Sequence, residues 1–158
     1  MRILLKNANI VNVFLDLVIQ QDILIEDKYI AGVGNYSDAE TVDTCDVVED
    51  LAGKVVCPGL IDSHIHIEST MLTPSQFARV AIPHGTTAII TDPHEITNVC
   101  GLAGIDYMLE ASHGVPLQVF HMMPSCVPAS PFEKLALRLL QKISAPITKK
   151  SACWGWQR

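Results

Sequence analysis

A chain of 158 residues, 49% apolar and 18% charged with a mean hydropathy of +0.28, carries enough apolar material for a packed core and excludes an intrinsically disordered protein. Its net charge of −6 at neutral pH offers no cationic field for nucleic acid or an anionic lipid surface. No apolar run approaches the roughly 18 residues of a membrane span, so a small molecule is the expected partner, with neither nucleic acid nor membrane.

The chain opens on MRILLKNANIVN, which lacks the apolar stretch of about 7 to 15 residues of a secretion signal; a cytoplasmic location is expected. Residues 1–57 read as short strands, ILLKNANIVNV, QDILIEDKYIAGVG and VVEDLAGKVVCPG. Glu26-Asp27-Lys28 sits between two β-prone runs, and Gly32 and Gly34 close the second, which predicts a hairpin within a small antiparallel β segment. Cys45, Cys57, Cys100, Cys126 and Cys153 are odd in number, scattered and without a CxxC pair, a pattern of reduced thiols rather than of a disulfide framework or zinc knuckle.

From Pro58 the texture becomes strand, polar loop, helix. GLIDSHIHIEST places Asp62, His64, His66 and Glu68 at every second position, so a strand would show all four on one face. Thr73-Pro74 reads as a helix start, with Phe77, Val80 and Ala81 at helical spacing and Gly85 as the stop. TTAIITD predicts a β-branched strand from Thr86 to Asp92. GLAGIDYMLEASHG sets Leu102, Ile105 and Leu109 on one helical face, and PLQVFHMMP is a third strand. Three strands with intervening helices make a right-handed parallel unit, open sheet or barrel, and the polar clusters after each strand fall on the C-terminal edge where catalytic groups converge in such folds. KLALRLLQKISAPITKKSACWGWQR breaks the pattern, with an amphipathic run from Leu135 to Ile143 and no recognisable element after it.

Two imidazoles at i and i+2 of a strand can reach one divalent ion at about 2.1 Å, and such an ion lowers the pKa of bound water toward about 7. His64 and His66 are therefore candidate metal ligands. Asp92, Pro93, His94 and Glu95 read either as a helix entry, with Asp92 as N-cap and Glu95 three residues on, or as groups facing the metal. Glu68 is a solvated carboxylate or a proton shuttle. Ser125 and Cys126 lack a Gly-x-Ser-x-Gly elbow and read as a loop serine and a thiol; His84, His113 and His121 read as structural.

PGLIDSHIHIEST, ARVAIPHGTTAIITDPHEITNVCGLAGIDYMLE and VFHMMPSCVPASPFE together resemble the amidohydrolase superfamily and, within it, the adenine deaminase branch. The resemblance covers roughly Ile3 to Glu133. It implies a partial (β/α)8 barrel of about three βα units at residues 58–133, preceded at residues 1–57 by the first half of a small β-sandwich. It also implies a divalent metal, manganese or iron with zinc as the third choice, and hydrolysis of adenine to hypoxanthine and ammonia by a homo-oligomeric full-length form. His64 and His66 match the metal-binding HxH. Glu68, Asp92 and Glu95 are then candidate catalytic groups, and His94 and Ser125 candidate substrate contacts.

A closed barrel takes about 250 residues, more than the chain holds from Pro58 onward, and the ligands that the family places on later strands have no positions here. This predicts a chain inactive alone, with an unpaired third strand. Residues 134–158 read as an out-of-frame tail: the codons of ACWGWQ, read from the third base of Ala152, force x-Leu-Gly-x-Ala, which resembles the family's next strand, and place a frameshift near Glu133 or Lys134. The alternatives are another cyclic amidohydrolase, dihydroorotase-like or imidazolonepropionase-like, and a non-enzymatic binding fragment.

Overall fold

The computed structural model describes residues 1–124, Val127 and the backbone of Cys153 and Trp154; Ser125, Cys126 and nearly all of the expected tail lie outside the described residues. The chain divides into two compact units, Met1–Pro58 and a second beginning at Gly59.

In the first unit β1 (Arg2–Asn12), β2 (Leu17–Glu26) and β3 (Tyr29–Gly34) form an antiparallel meander. The turn between β2 and β3 is the two residues Asp27-Lys28, with Asp27 in the left-handed region at φ 56°, as the turn chemistry predicts. The sheet is not wholly antiparallel, however. β4 (Val47–Asp50) and β5 (Val55–Val56) both pair with β1 in parallel, because the chain returns from β3 through a crossover containing α1 (Ala39–Asp43) instead of a tight reversing turn. α1 buries no residue, so it leaves no apolar period in the sequence; it is held by Asp38, which accepts hydrogen bonds from the Thr41 amide and hydroxyl, both at 2.8 Å. The core of this unit is Ala8, Ile23 and Leu51, flanked by Leu5, Ile10, Ile25 and Val56. Asp22 is buried beside it and accepts from the Asn7 amide, the Tyr36 amide and the Ser37 hydroxyl. Burial acts to raise its pKa, but those three donors outweigh it and hold the carboxyl below its ordinary value. The same bonds fix the irregularity in β1 at Asn7, whose φ is 56°.

The second unit runs β6 (Leu60–Ile65), α2 (Pro74–Ala81), β7 (Thr86–Thr91), α3 (His94–Cys100), α4 (Leu102–Ala111), β8 (Gln118–Met122) and β9 (Cys153–Trp154). All four strands are parallel, in the order β6-β7-β8-β9. This is a mixed α/β unit of the partial-barrel kind that the sequence predicts. β8 is not left unpaired: β9 lies beside it, Cys153 opposite His121 and Trp154 opposite Met122.

Alternation along the strands sorts the side chains. Ile65 and Ile67 pack with Ala78, Ile89, Met108 and Leu117 in the core between sheet and helices, so His64 and His66 belong to the opposite face. Burial of Ile67 and Ile89, neither with any exposure, is worth roughly 1.5 to 3 kcal/mol each, and that registers the strand ends carrying the polar groups. On α2 the buried residues are Pro74 and Ala78 with Phe77 packed alongside as the spacing predicts, while Val80, expected on the same face, points out. Gly85, at φ 94°, turns the chain from the 3-10 turn Ile82–His84 into β7. α3 and α4 are separate helices meeting at Gly101, and a Cβ on Gly104 would stand 2.8 Å from the Ile96 carbonyl oxygen, so only glycine permits this approach. Among the described residues no helix is long and apolar enough to cross a membrane.

His121 is 1% exposed and lies on the helix side of β8. Ser112 donates its hydroxyl proton to the Met108 carbonyl at 2.7 Å, so toward His121 Nε2, 3.1 Å away, its oxygen accepts. The proton of the neutral ring is thereby placed on Nε2, and buried Nδ1 has no partner. Burial pushes the pKa from the ordinary 6.5 down to about 4. The unfolded chain binds this proton below about 6.5 and the folded chain refuses it until about 4, so the group's contribution is complete above pH 6.5 and is lost as pH falls through that window. The full gap corresponds to roughly 3 kcal/mol. Urea unfolding of wild type and His121→Leu across pH 5 to 7 checks it: the wild type should lose about 1 to 2 kcal/mol more than the variant between pH 6.5 and 5, and parallel curves would refute the assignment.

Candidate metal centre

β6 ends at Ile65, and Ile67 already has helical dihedrals, φ −60° and ψ −42°, leading into the 3-10 turn Glu68–Thr70. The strand alternation therefore carries His64 and His66 to one place but not Glu68, which reaches the site from the turn. Asp62 turns back on the chain, its Oδ1 accepting from the His64 amide at 3.1 Å.

His64 Nε2 and His66 Nε2 face each other at 3.2 Å. Two nitrogens bound to one ion at about 2.1 Å stand roughly 3.0 to 3.4 Å apart for cis angles between octahedral and tetrahedral, so this spacing suits a shared cation. His66 Nδ1 is 2.6 Å from the Asp92 backbone carbonyl oxygen. A carbonyl only accepts, so the proton sits on Nδ1 and Nε2 presents its lone pair, the arrangement that ligating histidines show. Asp92 completes a group of three with His64 and His66, their candidate ligand atoms all within 4.8 Å of one another.

Behind His66 stands a second set of groups. α3 starts at His94 and receives no side-chain cap from Asp92 or Pro93; the expected helix entry is present one residue later than the capping pattern places it. Asp92 is thus released toward the site, with Oδ2 3.6 Å from His94 Nδ1. Glu95 Oε2 lies 3.2 Å from His66 Nδ1 and 3.7 Å from His94 Nδ1, while its Oε1 accepts the Ser69 hydroxyl at 2.7 Å. Glu68 Oε1 accepts the Ile96 amide at 3.4 Å.

Four buried polar atoms here have no hydrogen-bond partner: Asp92 Oδ1, His94 Nδ1, Glu95 Oε2 and Glu68 Oε2. Orphaned buried acceptors are costly, about 1 to 3 kcal/mol each and more when charged. Three carboxylates and three imidazoles crowded together are the donor set of a divalent cation site, and the residues fit one. The two carboxyls beside the imidazoles diverge. Burial raises the Glu68 pKa, with Glu95 adding to the rise, although the Ile96 amide opposes it. For Glu95 burial also acts upward, but the Ser69 hydroxyl, its own backbone amide, Glu68 and His66 outweigh it and lower the pKa. Of the pair, Glu68 therefore takes up a proton more readily than Glu95.

Of the residues singled out in the sequence, the structure brings together His64, His66, Glu68, Asp92, His94 and Glu95; Ser125 lies outside the described residues. Ser69 and the Asp92 carbonyl are the site components that sequence reasoning missed. Ser69 is off the strand alternation, and a backbone carbonyl carries no sequence signal at all.

Comparison with known proteins is consistent with this geometry. Residues 55–152 match the model of the amidohydrolase family. Among curated proteins the chain is similar to adenine deaminase 2 of Desulfotalea psychrophila, 50% identical over 147 residues covering 92% of this chain, and to the adenine deaminase of Geobacillus kaustophilus, 46% identical over 144 residues covering 91%. The chain spans 24% of the length of each of these relatives. Among solved structures it is similar to an atrazine chlorohydrolase from Arthrobacter aurescens complexed with zinc and atraton, with a TM-score of 0.57 at 18% identity, over 77% of this chain and 35% of that one. A. niger ochratoxinase gives a TM-score of 0.50 at 18% identity, over 76% of this chain and 30% of that one; both likenesses concern the fold.

Proposed function

Because the chain belongs to the amidohydrolase family, we propose that it is the metal-binding first portion of a hydrolase that deaminates adenine to hypoxanthine and ammonia. The observation that carries the metal part is the 3.2 Å approach of the two Nε2 atoms, with the His66 tautomer fixed from behind by the Asp92 carbonyl. The substrate part is supported by the resemblance to the two adenine deaminases, each 46% identical or better.

His64, His66 and Asp92 would hold a divalent cation, manganese or iron by the family resemblance. Bound there, it supplies Lewis-acid activation of water at neutral pH. Glu68, whose carboxyl is held above its ordinary pKa by burial and by Glu95, is the candidate proton shuttle to the departing amine. Glu95 stays anionic beside His66. His94, with Nδ1 unpartnered, is the candidate contact to the purine, and Ser125 is kept in that role from the sequence. The full-length form is proposed to be a cytoplasmic homo-oligomer.

The test is an assay of a protein carrying these residues at the full length of the relatives, against adenine and dihydroorotate. Deamination of adenine with turnover of dihydroorotate at least about 10³-fold lower is expected, since a site built to hydrogen-bond one polar ring rejects another by about 10⁴ or more. Preference for dihydroorotate would transfer the chain to another cyclic amidohydrolase.

A further inference from the structure

Ser69 stands on the 3-10 turn Glu68–Thr70, immediately after the strand that presents the histidines. Its hydroxyl donates to Glu95 Oε1 at 2.7 Å, a bond that joins this turn to the first turn of α3 across 26 residues of sequence. The other oxygen of the same carboxylate is thereby placed 3.2 Å from the protonated Nδ1 of His66, whose main hydrogen bond goes to the Asp92 carbonyl at 2.6 Å. The Glu95 carboxylate also meets its own backbone amide and the Glu68 carboxyl, but the Ser69 hydroxyl is the contact that ties it to the turn behind the histidines. Without the Ser69 hydroxyl, that partly exposed side chain loses the bond that fixes the direction of Oε1.

The second cluster, His66, His94 and Glu95, therefore does not act as a separate cation site through His66. Nδ1 carries the proton that the Asp92 carbonyl accepts and has no lone pair to offer. What this cluster does have is an anion behind a ligand. A carboxylate next to the Nδ1 proton of a histidine strengthens Nε2 as a donor to a metal and steadies the ring.

We propose that Ser69 is a positioning residue of the metal site: it holds the Glu95 carboxylate behind His66, and through that charge it sets how tightly His64 and His66 grip a divalent cation. The inference rests on the metal reading above. No step of the chemistry passes through Ser69 itself.

The experiment measures Zn²⁺ affinity of the 158-residue chain by competition with a chromogenic chelator at pH 7.5, for wild type, His66→Ala, Ser69→Ala, Ser69→Thr, Glu95→Gln and the Ser69→Ala/Glu95→Gln double variant, with thermal unfolding of each as a control. Ser69→Ala is expected to weaken Zn²⁺ binding about 10-fold, at the low end of the range for such supporting partners, and Ser69→Thr, which keeps the hydroxyl, to stay within about twofold of wild type. Glu95→Gln keeps an oxygen for the serine to hold but removes the charge. In that background Ser69→Ala should have no further effect, because there is no charge left to aim. A simple staple between the turn and α3 would behave differently, since the Ser69 hydroxyl still bonds the amide oxygen and its loss would still be felt. Unchanged affinity in Ser69→Ala, or an equal loss in the Glu95→Gln background, overturns the inference. If His66→Ala binds Zn²⁺ as tightly as wild type, the metal reading itself fails, and that outcome is distinct from the other two.

Discussion

Replacing His66 by alanine is expected to abolish divalent-metal binding by this chain and, in a protein of the relatives' full length, to lower adenine deamination by at least about 10³-fold, because the water loses its Lewis acid. His66 is the hinge of the site: its Nε2 faces His64, its Nδ1 is anchored on the Asp92 carbonyl, and the Glu95 carboxylate backs it. Little of the fold depends on it. Its side chain is on the face opposite the core formed by Ile67, Ala78, Ile89, Met108 and Leu117, and removing a partly exposed group of this kind costs about 1 kcal/mol or less. Circular dichroism and urea unfolding should thus match wild type within that margin while metal content measured by atomic emission falls to background. Full metal content in the variant would show that His66 is not a ligand.

The 158-residue chain alone is expected to deaminate adenine at no measurable rate, even with manganese added in excess. The described residues gather two facing imidazoles and the Asp92 carboxylate around one point, and they do so at the ends of β6 and β7, on one side of any substrate. Deamination needs further groups around the purine to hold it in line with an activated water, and fixing such geometry can lower a barrier by about 7 to 11 kcal/mol. Three βα units surround too little of the ligand to supply it. Incubation of purified chain with adenine and Mn²⁺, followed by chromatography for hypoxanthine, checks this; turnover that disappears in His64→Ala would refute it.

The order of elements in the second unit was legible because each rests on local chemistry. Thr73-Pro74 opens α2, the β-branched run TTAIIT makes β7, and Leu102, Ile105 and Leu109 pack together, with Ile105 fully buried. The parallel pairing of β4 and β5 with β1 was not legible, since direction is set by the crossover through α1, and that helix has no apolar face to announce it. Val80 points outward and Ala78 inward because the first turn of α2 is set by Pro74 packing into the core, not by which of its residues is largest.

For the site, the sequence by itself determined that a strand would end on two imidazoles facing the same way, since a period of two follows from strand geometry alone. It also placed the ionisable cluster Asp92, His94 and Glu95 after the next strand, and because β6 and β7 are parallel their C-terminal ends lie side by side. Only the tertiary structure decided how these groups divide the work. Glu68 leaves the strand face because the chain turns into a 3-10 helix at Ile67, which the core demands. Asp92 gives His66 its backbone carbonyl and keeps its carboxylate for the site, and Ser69 reaches Glu95 across 26 residues. Such contacts depend on where two distant segments are brought by packing, and neither residue's identity nor its neighbours along the chain encodes that distance.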